Sequence, residues 1–273
     1  MKKYLFFTLC LVGLSSCSEF SKIQKENDLE KKFAKAVEYY NEGECLKSSI
    51  LFEELISLVR GTSRGEEVYY YHAKSTYCDE DYILGSYYFK NFVKTFPNSQ
   101  YAEECSYLGA YCLYLESPNY SLDQSDTRTA IAEMQLHLDR FPNTTKKDTI
   151  NTLIRELREK LEVKEFEHAR LYYRTKRYKS AVIALQNALK EYPDSRFRED
   201  MLFFIVESNY ELAINSIESK KEERLLDTIE SYHTFADAYG ESPKLRQAEQ
   251  WYGNAVAELE RMKSTKSISK DGY

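Results

Sequence analysis

Apolar residues along most of the chain return every three or four positions, the spacing that gathers side chains on one face of an α-helix. The clearest stretch reads Ala169, Tyr172, Tyr178, Ala181, Leu185 and Ala188, and ends at Pro193. A second reads Ala73, Tyr77, Tyr82, Gly85, Phe89 and Phe92, ending at Pro97; a looser third reads Ala36, Tyr39, Cys45, Ser48, Phe52 and Leu55. Small residues at 169 and 181 let two helices approach closely, while Tyr172, Tyr178 and Leu185 fill the space between them. A further unit keeps Ala130 and Met134 but carries a polar loop from Glu116 to Asp126, and a last one holds Tyr210, Leu225, Ile229 and Tyr232.

The punctuation between these stretches repeats too. Phe96-Pro97-Asn98-Ser99, Phe141-Pro142-Asn143-Thr144 and Tyr192-Pro193-Asp194-Ser195 share one form, and Tyr239-Gly240-Glu241-Ser242 is a degenerate fourth copy. In each, the aromatic closes one helix, proline stops it for want of an amide hydrogen, and Ser, Thr or the residue before it caps the next. Helices are therefore expected near 28–41, 44–60, 65–78, 81–95, 99–115, 124–140, 145–174, 177–191, 196–219, 221–239 and 243–262. The fold this predicts is all-α: an α-solenoid of about five tetratricopeptide-like helical hairpins plus a C-terminal capping helix. The stretch 145–174 is long for a repeat helix and is expected to project or to brace the array. Repeats fall into an N-terminal set over 28–142 and a C-terminal set with its cap over 143–262, followed by a disordered tail over 263–273.

The N-terminus has its own pattern. Lys2 and Lys3 precede an apolar run from Tyr4 to Leu14, too short to cross a membrane as a mature helix. It ends in Leu14-Ser15-Ser16-Cys17, the form of a bacterial lipobox. Residues 1–16 then read as a lipoprotein signal peptide, Cys17 as the lipidated first residue, and 17–27 as a tether. Acyl chains of that kind anchor firmly, each buried methylene contributing about 0.8 kcal/mol.

Composition adds constraints. The formal charge is −6, and losing Lys2 and Lys3 makes the mature chain more acidic still, so no nucleic-acid surface is expected. Only 9 Gly and 5 Pro punctuate 273 residues, which suits a continuous helical array. Of six cysteines, Cys10 leaves with the signal and Cys17 is acylated; Cys45, Cys78, Cys105 and Cys112 read as small buried apolar residues. Cys105 and Cys112 lie about 10 Å apart along one helix, too far to bridge.

Convergent chemistry is missing. His72, His137, His168 and His233 are scattered over different helices, and no H-E-x-x-H, G-x-S-x-G, G-x-G-x-x-G or phosphate loop occurs. Adjacent acids such as Glu103/Glu104 and Glu222/Glu223 point to different helix faces and read as solvated. No catalytic residue, metal or cofactor is expected. The 24 tyrosines are different. Those at 69, 70, 71, 77, 87, 88, 107 and 111 cannot all turn inward on adjacent helices, so Tyr70, Tyr77, Tyr107 and Tyr111 are candidates for lining a partner-binding groove.

The lipobox, the aromatic-Pro-Asn-Ser turns and the loop Ser117-Pro118-Asn119-Tyr120-Ser121-Leu122-Asp123-Gln124-Ser125-Asp126, in this order, resemble the BamD family of outer-membrane protein assembly factors. The junction Phe96-Pro97-Asn98-Ser99-Gln100-Tyr101-Ala102-Glu103 looks like that family's. The resemblance implies a non-catalytic scaffold of the β-barrel assembly machinery, held by lipid on the periplasmic face of the outer membrane. It implies docking to a BamA-type insertase, contact with other lipoproteins of the machinery, and capture of unfolded barrel precursors by the N-terminal repeats. It also implies that C-terminal repeats meet the insertase partly through an arginine after the Tyr-Pro-Asp-Ser turn, where Arg196 and Arg198 both fall. Ser18 after the lipidated cysteine fits outer-membrane delivery. The degenerate turn at Gly240 departs from the family's pattern. A different scaffold lipoprotein of the same architecture, for instance one coordinating cell division, is the alternative.

Overall fold

A computed structural model describes residues 19–62 and 64–270 of the chain, with side chains to residue 264. Cys17, the signal residues 1–16 and the last three residues lie outside the described residues. A short helical stretch at 19–24 (α1) is followed by α2 (Leu29–Asn41), α3 (Cys45–Leu58), α4 (Gly65–Cys78), α5 (Tyr82–Thr95), α6 (Ala102–Glu116), α7 (Ser125–Arg140), α8 (Lys147–Arg174), α9 (Tyr178–Glu191), α10 (Arg198–Ile214), α11 (Glu218–Ala238) and α12 (Leu245–Lys270). No strand occurs among the described residues. Each helix packs mainly on its neighbours in chain order, the arrangement of tetratricopeptide-like hairpins. Two compact units result, divided between Arg158 and Glu159 inside α8.

In the first unit the core is built in layers. Leu51, Phe52 and Leu55 of α3 meet Ala36 and Tyr39 of α2 and Val68 of α4. Phe89 and Phe92 of α5 lie between Ala73 of α4 and Cys105, Leu108 and Cys112 of α6. Burying each such Phe or Leu contributes about 1.5–3 kcal/mol. Close approach depends on Gly109, where a Cβ would stand 3.2 Å from the Cβ of Phe89. The first half of α8 supplies Ile150, Ile154 and Leu157 to a third layer with Ala130 and Met134 of α7. The long helix does not project; its apolar stripe is buried at both ends. In the second unit its later residues Phe166 and Ala169 pack with Ala181 and Leu185 of α9 and with Met201 and Ile205 of α10. Leu202, Phe203, Phe235 and Ala248 then tie α10, α11 and α12 together.

The repeated turns act as sequence chemistry requires, with one addition. The amide of Ser99, Thr144, Ser195 or Ser242 donates to the carbonyl of the aromatic three residues earlier, at 3.0–3.1 Å. The Ser99, Ser195 and Ser242 hydroxyls each accept an amide of the following helix start, 3.0 Å away. Each also donates to a carboxylate on an earlier helix: Glu66 (2.6 Å), Glu162 (2.6 Å) and Glu199 (2.7 Å). The Gly240 copy is pinned like those at Ser99 and Ser195, because the pin is made by serine, not proline.

Three differences from the sequence reading stand out. Cys45 and Cys78 are not separate buried thiols: they form a disulfide between the first residue of α3 and the last of α4, with Cα atoms 5.6 Å apart. Their separation of 33 carries no ligand or bridge spacing in sequence; only the stacking of one hairpin on the next brings them together. Cys105 and Cys112 are buried and free. Helix α10 ends at Ile214, where the Ser216 amide turns back to Ala213, rather than running to 219. Helix α12 continues to Lys270, through most of the segment expected to be disordered.

Candidate protein-binding face

Tyrosines gather on the first helices of successive hairpins in the first unit. On α6, Tyr107, Tyr111 and Tyr114 follow one another at four and three residues, hence on one stripe. Their rings are near parallel: 5.8 Å and 14° between Tyr107 and Tyr111, 5.7 Å and 12° between Tyr111 and Tyr114. Tyr114 donates its hydroxyl to Glu156 (2.6 Å), and that bond, helped by burial, pushes the phenol up to about 12. Lys146 stands 5.5 Å above the Tyr107 ring.

On α4, Tyr70 stacks on Tyr101 at 4.1 Å. Its hydroxyl donates to Glu104 (2.9 Å), which also accepts from Lys74 (2.7 Å). Burial and the Glu104 carboxylate hold the Tyr70 phenol far above its ordinary range. Burial alone would raise Glu104, but the Lys74 and Tyr70 bonds outweigh it and the carboxyl is lowered. Tyr71 extends the aromatic surface towards Tyr40 (5.8 Å) and Phe33 (6.1 Å). All these rings are half-buried. Amphipathic rings locked in place offer contact area at little entropic cost, which is what recognition of a polypeptide requires.

Of the four tyrosines singled out from sequence, Tyr70, Tyr107 and Tyr111 lie on this face. Tyr77 is mainly packing: its ring lies against Tyr82 (5.7 Å) and Phe89 (6.3 Å), though its phenol, raised by burial, also feels Tyr111 and Tyr107. The sequence pattern did not single out Tyr101, Tyr114 or Lys74 as contact residues, and Glu104 read only as a solvated acid. Tyr114 was legible from its spacing to Tyr107 and Tyr111. The network at Glu104 was not: the carboxylate is exposed, as an acid on a solvated face would be, but it also accepts from Tyr70 and Lys74, which lie on another helix. Tyr87 is exposed elsewhere, on α5, where with Ile83, Lys90 and Leu113 it lines a groove of about 480 Å³.

The second unit repeats the geometry with fewer hydroxyls. Phe166 stacks on Phe197 at 4.2 Å as Tyr70 stacks on Tyr101, so no phenol reaches across. Tyr173 keeps one, donating to Glu207 (2.6 Å) while stacking on Phe204 (4.3 Å). Arg196 is exposed in the turn before α10, its guanidinium 4.8 Å from the Phe197 ring centre. Arg198, the first residue of α10, is half-buried and donates to the Pro193 carbonyl (3.2 Å). The two candidate arginines thus differ: one faces outward, the other is tied to its own turn.

Among the described residues no group of His, Cys, Asp and Glu could hold a metal ion, and no helix is long and apolar enough to cross a membrane. Residues 25–225 match the YfiO family, described as outer membrane lipoprotein. The chain belongs to that family. It is also similar to a protein of Aquifex aeolicus (strain VF5) provisionally named outer membrane protein assembly factor BamD. The two are 25% identical over 224 residues, which cover 81% of this chain and 72% of that relative. The family match spans all the tyrosines of the candidate face and both candidate arginines, and ends within α11.

Proposed function

We propose that this lipoprotein is a non-catalytic scaffold of outer-membrane β-barrel assembly, anchored by acyl chains on Cys17 and facing the periplasm. The tyrosine face of α4 and α6 takes extended segments of unfolded barrel precursors. The second unit meets a BamA-type insertase, with Arg196 offering its guanidinium to a partner carboxylate and Arg198 ordering the turn beneath it. Other lipoproteins of the machinery complete the assembly. Supporting this reading is the coincidence of an outer membrane lipoprotein family match with a continuous stripe of half-exposed stacked tyrosines. Stacked rings bind apolar and aromatic side chains of an unfolded chain without demanding one sequence.

The test is mild-detergent purification of the native lipoprotein. Co-purification with an Omp85-type barrel is expected, and its recovery alone would count against the reading. Replacing Tyr107 and Tyr111 together by Ala should weaken binding of a peptide from a barrel's last strand by about 1–3 kcal/mol, as for aromatic anchors at other interfaces. Unchanged affinity would remove the tyrosine stripe from the proposal. Arg196→Ala should reduce insertase co-purification more than Arg198→Lys does, since a bidentate carboxylate contact needs the exposed guanidinium.

A further inference from the structure

Within the segment expected to be a tether, residues 19–24 are docked. Glu19 pairs with Lys35 of α2 (3.0 Å). Phe20 meets the Tyr39 ring at 6.0 Å, and Phe20 and Ile23 join the first core layer beside Ala36 and Phe52. Further on, the Gln24 carbonyl accepts from Lys32 (2.7 Å) and its side-chain amide donates to Glu54 (3.1 Å). Residue 19 lies against 35 and residue 24 against 32, so α1 runs back along α2 and its first residue points towards the α2–α3 turn. At that end Lys35 and Lys47 both approach the Tyr39 ring, at 5.0 and 5.5 Å, and Leu46 is 58% exposed. The Cys45–Cys78 disulfide fastens the end of α4 to the same place.

Only one residue separates Glu19 from Cys17, so the lipidated position is within about 7 Å of the docked helix start. From this geometry we infer that the α2–α3 turn end of the first hairpin is held against the lipid surface, the opposite end of that hairpin pointing away. This rests on the reading of Cys17 as the acylated residue. The occupant of this end is a bilayer headgroup layer, brought there by the short leash rather than by charge. Glu42 and Glu44 precede Leu46 at the turn, and the two lysines at this end are matched by acids, Lys47 by Glu44 (3.1 Å) and Lys35 by Glu19 and Glu38, which leaves little pull on anionic lipid. Proximity is therefore the same on zwitterionic as on anionic vesicles. Leu46 lies at the start of α3 and Arg60 two residues past its end at Leu58, so the 12 helical steps from 46 to 58 alone separate the two ends by about 18 Å along the axis.

The experiment uses the full processed chain reconstituted in phosphatidylcholine vesicles bearing a nitroxide on the headgroup. Leu46→Trp and Arg60→Trp variants are compared with the parent, whose Trp251 supplies the background; both positions are exposed and tolerate the ring. Mass spectrometry of the N-terminal peptide first reports acylation of Cys17. With acylation present, the tryptophan at 46 should lose most of its emission to the nitroxide and that at 60 should keep its own. Equal quenching, or stronger quenching at 60, overturns the orientation and leaves the anchor intact. An unacylated Cys17 overturns the anchor reading and this inference with it. Undocking α1 with Phe20→Ser and Ile23→Ser should erase the difference between the two positions; its survival would overturn the role given to α1.

Discussion

His72 is the residue whose burial has the plainest consequence. It lies in α4 at 3% exposure, its ring 4.3 Å from Tyr88, and desolvation pushes it down to about 4 from an ordinary 6.5. The unfolded chain therefore binds a proton that the folded chain refuses between those values. Stability is full above pH 6.5 and falls as the pH drops towards 4, by up to about 3 kcal/mol. Urea midpoints measured across that range should show this slope, and His72→Leu should flatten it. His137 shares the cause, being lowered by burial against the opposing charge of Glu103. A second residue-scale effect sits in the hairpin turns. Gly43, Glu80 and Lys176 occupy matching positions with φ of 79°, 62° and 57°. Glycine enters that region freely, whereas a side chain costs about 1–2 kcal/mol there. Glu80→Gly is expected to stabilise the protein by about 0.5 kcal/mol after the extra unfolded-state entropy is offset. A lower thermal midpoint in that variant would contradict the strain.

At the scale of elements, the junctions at Ser99, Ser195 and Ser242 are small polar devices. One serine satisfies a helix-start amide and reaches back to a carboxylate, fixing both the entry of the next helix and its distance from an earlier one. Ser195→Ala removes both bonds at once, one to the Phe197 amide and one to Glu162, in a site 8% exposed. The loss should be about 1–2 kcal/mol in denaturant titration. Pro193→Ala should cost less, because the Gly240 turn makes the same bonds without proline. If the order of these two losses were reversed, proline rather than serine would be the determinant of the junction.

At the scale of the molecule, stability is distributed between neighbours. Helices pack on those adjacent in chain order, so a local defect propagates only to the next layer. The Cys45–Cys78 bond closes a stretch of 33 residues within the first unit. Loop-closure entropy over that length stabilises it by about 3–4 kcal/mol. Reduction, or Cys45→Ser with Cys78→Ser, should raise amide exchange over α2 to α4 while leaving α10 to α12 near their original protection. Uniform loss of protection along the chain would show that the layers are not separable in this way.

The helical hairpins and their junctions were readable before any coordinates, because both are local. A period of three to four residues and an aromatic-Pro-Asn-Ser stop need only neighbours in the chain to work. The tyrosine stripe on α6 was partly readable for the same reason: Tyr107, Tyr111 and Tyr114 share a face of one helix. What stacking alone decided involves partners far apart in sequence. The Cys45–Cys78 bond, the Tyr70–Tyr101 stack over Glu104 and the docking of residues 19–24 each join positions on different helices. Their pairing depends on how one hairpin meets the next, and composition or spacing carries no record of that. Amphipathic periodicity says which face of a helix is buried; the closeness of particular side chains across that buried face is a property of the packed layers.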